Sequence, residues 1–188
     1  MKIAITGNTA GIGQALERKL LLQGHEVIGL SRRLGYNIRS TSKIVSMIQD
    51  CDLFINNAQE GYSQTELLFE IFKEWQGQPN KKIWVISSDL TRYSMIPDLP
   101  GHSKLDVIKY KNQKLALEDA CRQLQTLNIL EILIIKPGAV ATQPGQTANV
   151  FPYCDVDDWA KTLVDLLDDM DHKGYSLREF SLTSRLVK

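Results

Sequence analysis

The sequence predicts an α/β protein in which helices cover both faces of one doubly wound parallel sheet. Two observations support this fold class. Short apolar runs alternate with longer amphipathic segments, as in consecutive strand–helix–strand units. Several of the short runs are also apolar nearly throughout, in particular residues 52–55, 83–86 and 129–135. Such runs are typical of strands buried on both faces, which favours a parallel sheet over an antiparallel one.

The first elements follow from this alternation and from the residues that end each segment. The strand candidates are residues 2–6, 25–30, a weak segment at 36–38, 52–55, 82–87, 129–135 and 180–182. The helix candidates are residues 12–23, 41–49, 63–75, 104–126 and 156–170. Gly24 follows the first helix, where a left-handed C-cap glycine is common, and Pro137 and Gly138 end the sixth strand candidate.

The remaining segments are predicted loops inside one domain that spans residues 1–188. Residues 89–103 carry Pro97, Pro100 and Gly101, and residues 139–155 follow the strand that ends at Pro137. Both loops leave the carboxyl ends of strands, which is where open α/β sheets bind their ligands. They are therefore the predicted substrate loops. The candidate lining residues are Tyr93, Met95, Ile96, Leu99, His102, Gln143, Phe151 and Tyr153.

Composition excludes several classes of protein. Lys and Arg total 22 and Asp and Glu total 22, so the net charge is zero and a nucleic-acid partner is not expected. No run approaches the ~18 apolar residues of a membrane span, and the first residues do not form a secretion signal. Three cysteines without a CxxC pair suggest neither disulfides nor zinc, and no other metal site is expected. These features predict a reduced, cytoplasmic protein.

A glycine-rich turn joins the first strand to the first helix. Residues 6–13 read TGNTAGIG. Glycines at such a turn let the backbone approach a pyrophosphate, while the helix N-terminus offers free N–H groups and the positive end of its dipole. A turn that serves only tight packing is the alternative, but the position between strand and helix favours a Rossmann-type dinucleotide site.

Four further motifs follow in order. Asn56, Asn57 and Ala58 come directly after the fourth strand candidate, and Ser87 and Ser88 close the next one. Tyr110 and Lys114 have YxxxK spacing on the long helix, and Pro137-Gly138 precedes Thr142. With these motifs in this order the sequence resembles the short-chain dehydrogenase/reductase family, whose TGxxxGIG, NNAG, YxxxK and PGxxxT segments they match over most of the chain.

The resemblance implies a catalytic set of Ser88, Tyr110 and Lys114. Residues four apart share a helix face, so Lys114 can hold its ammonium near the Tyr110 phenol, although the same spacing also suits a solvated pair. A nearby ammonium favours phenolate, which assists acid/base work near neutral pH. In the family's pattern Tyr110 exchanges the substrate proton, Lys114 also contacts the nicotinamide ribose, and Ser88 hydrogen-bonds the reacting oxygen. Ser87 remains an alternative to Ser88.

The end of the second strand indicates which nicotinamide cofactor is used. Ser31, Arg32 and Arg33 stand there with no acidic residue, and arginine matches the 2′-phosphate that distinguishes NADP(H) from NAD(H). By the family's pattern Asn37 lies where the adenine is framed. The predicted cofactor-binding residues are Gly7, Asn8, Thr9, Gly11, Ile12, Gly13, Ser31, Arg32, Arg33, Asn37, Asn57, Ala58, Tyr110, Lys114, Pro137, Gly138, Val140 and Thr142.

Four departures from the family's pattern bear on function. Gln59 replaces the glycine of NNAG, and residues 63–75 hold no counterpart of the asparagine that the family places in this helix. Asn112 and Gln113 stand where small residues are usual. Tyr110 follows Ser88 by 22 residues, a longer gap than in most simple reductases.

The predicted function is an NADP(H)-dependent oxidoreductase that transfers a hydride between nicotinamide and a small-molecule carbonyl or alcohol. Because the family pairs through the YxxxK helix, a homodimer or homotetramer is expected. A non-catalytic NADP(H)-binding redox regulator is one alternative, which Gln59 and the missing asparagine favour. An epimerase- or dehydratase-like enzyme is another, which the long serine-to-tyrosine gap favours.

Overall fold

A single parallel sheet forms the centre of the protein. In the computed structural model the described residues are 1–99, 101–143, 146 and 153–183. The sheet strands are β1 (Lys2–Thr6), β2 (Glu26–Leu30), β3 (Leu53–Asn56), β4 (Lys82–Ile86), β5 (Glu131–Pro137) and β8 (Glu179–Leu182). They lie in the order β2-β1-β3-β4-β5-β8, and every neighbouring pair is parallel.

Helices cover both faces of this sheet. They are α1 (Gly11–Leu22), α2 (Thr41–Met47), α3 (Ser63–Trp75), α4 (Lys104–Thr126) and α5 (Val156–His172). The apolar stripes of α1 and α5 bury residues such as Leu16 and Leu163 on one face. The stripes of α2, α3 and α4 pack on the other, where Phe54 of β3 meets Trp75 of α3 edge to face at 6.4 Å. The predicted doubly wound α/β architecture is thus confirmed.

Strand burial explains why the apolar runs were continuous. All four residues of β3 are buried, as are six of the seven in β5. Side chains alternate between the two faces of a strand, so only a sheet covered on both faces needs apolar residues at successive positions.

The weak strand predicted at residues 36–38 is wrong. Arg32–Leu34 form a short 3₁₀ turn that ends at Gly35, whose φ of 84° is left-handed. The backbone N–H of Tyr36 then bonds to the carbonyl of Ser31, and the Asn37 side chain accepts from the N–H of Arg39. These local bonds use the donors that a strand would have offered to a neighbour, and Ile38 is left as a core residue at the edge of the sheet.

A small parallel ladder lies within the predicted loop 139–155. There β6 (Val140–Ala141) pairs with β7 (Cys154–Asp155). No pattern in the sequence predicted so short a pair. It brings the chain back to the start of α5 and holds Val140 against the core.

The carboxyl edge of the sheet brings the predicted motifs together. The glycine turn follows β1, Asn57 follows β3, the two serines follow β4, and Gly138 follows β5. The strand order changes direction at β1, because the chain passes from β1 to β2 on one side and from β2 to β3 on the other. Ligands of doubly wound sheets bind in the crevice at such a point.

Among the described residues, no helix combines the length and the apolar character needed to cross a membrane.

Candidate active site

The glycine turn after β1 is built so closely that side chains are excluded. Gly7 and Gly11 have φ values of 70° and 55°, in the left-handed region that favours glycine. A Cβ at Gly13 would stand 2.6 Å from Nδ2 of Asn57 and closer still to the carbonyl oxygen of Gly7. The backbone of this turn therefore stays bare on the cleft side.

The N-terminus of α1 opens into the same space. Its N-cap residue, Ala10, has no side chain that can satisfy the first N–H groups, and the first turn contains no acidic residue. These donors and the helix dipole together form a site for an anion.

Thr6 joins the glycine turn to the segment after β3. Its buried hydroxyl oxygen accepts hydrogen bonds from the backbone N–H groups of Asn57, at 2.9 Å, and Ala58, at 3.0 Å. The Asn57 amide in return donates to the carbonyl of Thr6 at 2.9 Å. These bonds therefore hold Asn57 and Ala58 against the glycine turn at the base of the cleft.

Two buried polar atoms near the end of β2 lack partners within the described part of the chain. Asn8 is 5% exposed, and its Nδ2 donates to Glu17 at 2.8 Å while its Oδ1 has no partner. Ser31 is 6% exposed and its hydroxyl has no partner either. Asn8 lies directly over Gly29, where any Cβ would collide with its amide. Buried polar groups are normally paired, so this pair of atoms is suited to receive a ligand.

Arg32 and Arg33 are exposed beside those two atoms. Neither guanidinium has an ion pair with any described residue, whereas Arg39 a few residues on is paired with Glu60 at 3.0 Å. Asn37 is half-buried. Its side-chain oxygen accepts a hydrogen bond from the N–H of Arg39, which leaves its own NH₂ group available.

A cleft of about 440 Å³ joins the glycine turn to α4. It is lined by Ala10, Gly11, Ile12, Asn57, Gln59, Ile86, Ser87, Ser88, Tyr110, Lys114, Pro137, Gly138, Val140, Thr142 and Gln143. Thr142 reaches across to the turn, because a Cβ at Gly11 would lie 3.2 Å from the Cβ of Thr142. A pocket at the opposite, amino end of the strands holds only about 30 Å³ and none of the motifs.

Tyr110 and Ser88 meet in this cleft. The Ser88 side chain is close enough to the phenol to favour its ionised form, and Ser88 Oγ accepts a hydrogen bond from the backbone N–H of Leu90 at 3.3 Å. Burial raises the pKa of the Tyr110 phenol above its usual range, and Ser88 offsets this only in part. Tyr110 is therefore a neutral, protonated acid at neutral pH. The sequence predicted that the ammonium of Lys114 would lower the pKa of this phenol, but Lys114 is not among the groups that shift it.

Lys114 lies behind Tyr110 and is 3% exposed. Its Nζ donates to Oε1 of Gln64 at 2.7 Å and to the carbonyl of Ile86 at 2.9 Å, and it lies 5.6 Å from the centre of the Tyr110 ring. Burial lowers the pKa of this ammonium to about 7, against the opposing influence of the Glu118 carboxylate.

The two serines have different neighbours. Ser87 is buried and donates to Oε1 of Glu118 at 2.6 Å, whereas Ser88 is the serine that influences the Tyr110 pKa. The Thr91 hydroxyl also lies within hydrogen-bond distance of Glu118, at 2.8 Å, and of the carbonyl of Ser88, at 2.9 Å. Glu118 thereby ties down the chain on both sides of Ser88.

Glu118 is the centre of a buried charge cluster. This residue is 1% exposed, and its second oxygen lies 2.9 Å from both Lys136 Nζ and Arg122. Lys136 and Arg122 also meet Glu179 of β8, at 2.5 and 3.0 Å. The sequence offered one sign of this cluster, since Glu118 follows Lys114 by four residues on the same helix face.

Gln59 and Gln64 account for two departures from the family's pattern. The Gln59 side chain donates a hydrogen bond to Gln113 of α4. Two residues that depart from the family's pattern are therefore hydrogen-bonded to each other. Gln64 reaches Lys114 from the first turn of α3, the helix in which no asparagine was found. No sequence signal predicted that contact, because fifty residues separate the pair.

The predicted substrate loops contribute less to the cleft than expected. Of the described candidates only Gln143 lines it, while Tyr93, Met95 and His102 are exposed to solvent. Phe151 lies outside the described residues.

Comparisons with known proteins place the fold. No protein-family model and no curated protein matches the sequence. Among solved structures, the chain is similar to an alcohol dehydrogenase from the archaeon Thermococcus sibiricus complexed with 5-hydroxy-NADP, with a TM-score of 0.71, 19% identity and coverage of 97% of this chain and 96% of that one.

Two more solved structures have the same architecture. One is a short-chain dehydrogenase/reductase from Vibrio parahaemolyticus, with a TM-score of 0.74 and 16% identity over 98% of this chain and 100% of that one. The other is the 3-alpha-hydroxysteroid dehydrogenase from Pseudomonas sp. B-0831 complexed with NADH, with a TM-score of 0.68 and 18% identity over 96% and 95%. At these identities the likeness is one of fold.

Proposed function

We propose that this protein is an NADP(H)-dependent oxidoreductase of the short-chain dehydrogenase/reductase family, acting on the carbonyl or alcohol group of a small molecule. One observation carries the proposal. A protonated tyrosine, with Ser88 and Lys114 beside it, faces the same cleft as the glycine turn and the uncapped N-terminus of α1. That arrangement puts an acid beside a site for a dinucleotide.

The residues around the glycine turn fit a dinucleotide. Gly7, Gly11 and Gly13 leave the backbone open, and the first turn of α1 offers uncapped N–H groups to a pyrophosphate. The unpartnered oxygens of Asn8 and Ser31 lie where the adenosine ribose would reach the end of β2. When bound, the nicotinamide ring supplies or accepts the hydride.

Arg32 and Arg33 support a preference for NADP(H). A guanidinium matches phosphate through two parallel hydrogen bonds, and neither arginine is engaged by a described acidic residue. The end of β2 also lacks an acidic residue to hold the 2′-hydroxyl of NAD(H). Two of the similar structures carry NADP-type and NADH ligands, respectively, so the preference depends on these residues and not on the likeness.

The raised pKa of Tyr110 suits the direction of carbonyl reduction. The phenol donates its proton to the carbonyl oxygen as the carbon gains the hydride, and the resulting phenolate recovers a proton from solvent in the open cleft. Ser88 is the second donor to that oxygen. Nζ of Lys114 lies 5.6 Å from the centre of the Tyr110 ring.

Removing the phenolic oxygen is the direct test. With a panel of small carbonyls and alcohols, Tyr110→Phe should lower kcat by about 100- to 10,000-fold, because general acid catalysis contributes that much. The affinity for NADPH, followed by fluorescence, should change by less than about threefold. The variant Tyr93→Phe, altered at an exposed tyrosine, is the matched control.

Two outcomes would contradict the proposal. Full activity of Tyr110→Phe would remove the acid/base assignment. Tight NADPH binding without turnover across the panel would instead favour a non-catalytic regulator.

An apolar surface on α3 and α4 supports a homodimer or homotetramer. Leu105, Ile108 and Leu115 form an exposed stripe along α4, and Phe69 is exposed on the neighbouring α3. Such stripes on adjacent helices favour burial against a second copy. Sedimentation should show a dimer or tetramer, and Ile108→Glu should shift it toward the monomer. A parent protein that stays monomeric at all concentrations would contradict this.

The cytoplasm remains the proposed location. Cys51, Cys121 and Cys154 are free thiols, and the first two are buried, as is common in a reducing compartment. Oxidation of the purified protein followed by thiol titration would reveal any pairing.

A further inference from the structure

Gln64 joins α3 to α4. It is the one residue of α3 whose side chain forms a hydrogen bond with the ammonium of Lys114. It is 2% exposed, and its Oε1 lies 2.7 Å from Nζ of Lys114. The helix that carries it supplies no asparagine, so nothing in the sequence suggested a polar group at this place. The question is what a fully buried amide does there.

The other end of the Gln64 amide fixes its orientation. Nε2 donates to the carbonyl of Asn56 at the end of β3, at 2.7 Å, and to the carbonyl of Ile86 at the end of β4, at 3.1 Å. Asn56 in turn donates from its own amide to the backbone carbonyl of Gln64 at 2.9 Å. Because two carbonyl oxygens can be approached only by the NH₂ end, the amide cannot turn over, and its oxygen must face Lys114.

This arrangement uses two of the three donors of the ammonium. Gln64 takes one N–H and the carbonyl of Ile86 takes another. No hydrogen-bond acceptor among the described residues takes the third, and Lys114 lines the cleft together with Tyr110. The Lys114 side chain has little freedom to adopt another orientation, because both acceptors belong to elements packed in the core.

We propose that Gln64 is a positioning residue for Lys114: its amide, held by the ends of β3 and β4, aims the ammonium at Tyr110 and at the cofactor side of the cleft. The inference rests on the proposed function for its role in turnover. Its effect on Lys114 does not, because the contact exists in the protein alone.

The chemistry of a neutral acceptor matters at this position. Burial lowers the pKa of Lys114 to about 7, while Glu118 and Cys121 of the same helix act in the opposite direction. The other polar groups that face it are the Tyr110 phenol, the Gln64 amide and the carbonyl of Ile86. A glutamine oxygen supports the charged form through one hydrogen bond, whereas a carboxylate there would add a full opposite charge.

Two variants and one control separate positioning from packing. Gln64→Glu keeps the shape and the oxygen that faces Lys114, adds a charge, and replaces the NH₂ donor to the carbonyls of Asn56 and Ile86 by an oxygen. Gln64→Leu removes the acceptor and the donor together. Gln125→Leu is the matched control. Its amide also donates to two backbone carbonyls, those of Ile132 and Arg178, but it lies far from Lys114.

The first measurement needs neither cofactor nor substrate. Heteronuclear NMR of labelled lysine, with Lys114 assigned through Lys114→Arg, follows its titration in the protein alone. Gln64→Glu should move the midpoint upward by about one pH unit or more, and Gln64→Leu should move it downward. Gln125→Leu should leave it in place. An unchanged midpoint in a folded Gln64→Glu would overturn the proposal, even if Gln64→Leu does not fold.

The second measurement follows turnover on any substrate that the panel identifies. Gln64→Leu should lower kcat by about 10- to 100-fold with KM within about threefold, because a misdirected ammonium harms the reacting geometry more than binding. The pH profile of kcat in Gln64→Glu should shift with the Lys114 titration. Loss of kcat without movement of either profile would mean a purely structural role and would overturn the proposal.

Failure of this inference and of the proposed function can be told apart. If Lys114 responds to Gln64 but Tyr110→Phe retains activity, the positioning contact stands and the oxidoreductase assignment falls. If Tyr110 and Lys114 are required for turnover but Lys114 ignores Gln64, the reverse holds.

Discussion

The two walls of the cleft are built in different ways. The wall formed by the glycine turn and the end of β2 consists largely of backbone, and some of its polar groups have no partner among the described residues: these are Asn8 Oδ1, the Ser31 hydroxyl and the Arg32 guanidinium. The wall formed by α4 consists of side chains that are already bonded to one another. Lys114 has two partners and Glu118 has four.

This difference indicates what each wall does before a ligand arrives. Unpaired buried groups cost free energy, so a ligand bound to the glycine-turn wall, the proposed nucleotide wall, would supply partners that these groups lack. The bonded groups of the α4 wall are fixed in advance, which suits residues that must meet a reacting atom at a set distance. The first wall should therefore respond to changes through ligand affinity, and the second through stability and the geometry of turnover.

The largest expected effect comes from breaking the backbone wall with a side chain. In Gly13→Val the new Cβ collides with Asn57 and with the carbonyl of Gly7, so the turn must move away from the pyrophosphate site. NADPH affinity, measured by fluorescence titration, should fall by about 100-fold or more, close to 3 kcal/mol.

The control for this change is Gly77→Asn at the end of α3. No atom lies within 4 Å of a Cβ there, and asparagine tolerates the φ of 84°. Its NADPH affinity should match the parent. If Gly13→Val binds NADPH as the parent does while remaining folded by circular dichroism, the glycine turn is not the dinucleotide site.

The next effect tests the bonded wall through stability. Glu118→Gln keeps an oxygen for Ser87 and Thr91 but leaves the buried Lys136 with Glu179 as its only anionic partner among the described residues. The free energy of unfolding should fall by about 2 kcal/mol, because a charged hydrogen bond is lost in a buried place. Denaturant unfolding measures this.

Glu131→Gln is the companion variant, since Glu131 pairs with Lys82 at 3.7 Å near the surface. Its expected cost is below about 1 kcal/mol. Equal losses in the two variants would show that the Glu118 cluster contributes no more than an ordinary surface pair.

The same contrast explains how much the sequence could predict. The nucleotide wall depends on local rules: the glycine turn lies between β1 and the start of α1, and the arginines directly follow the end of β2. The strands and helices were predictable for the same reason, since apolar periodicity is local. The weak strand at 36–38 failed because side-chain and turn bonds around Gly35 and Asn37 used its donors.

The α4 wall was predictable only in its Tyr110–Lys114 pair. Gln64 and Lys136 meet that helix from segments that are distant in sequence, and a single glutamine or lysine carries no signal of such a contact. The choice between Ser87 and Ser88 was open for a related reason. It depends on which of two adjacent side chains turns toward Glu118 and which toward Tyr110, and this follows from the end of β4 and the turn after it.

The smallest expected effect concerns the nucleotide wall. It comes from Arg32, whose side chain has no ionic partner among the described residues. Arg32→Ala should weaken NADPH binding by about tenfold, because one charge-assisted contact to a phosphate is lost. NADH binding should change little, and the free energy of unfolding should stay within ~0.5 kcal/mol of the parent. Arg39→Ala, which removes a guanidinium already paired with Glu60, should alter neither affinity. Equal affinity of the parent for NADPH and NADH would overturn the role of Arg32. If Arg32→Ala instead loses the same affinity for both cofactors, Arg32 contacts the part of the dinucleotide that they share and not the 2′-phosphate.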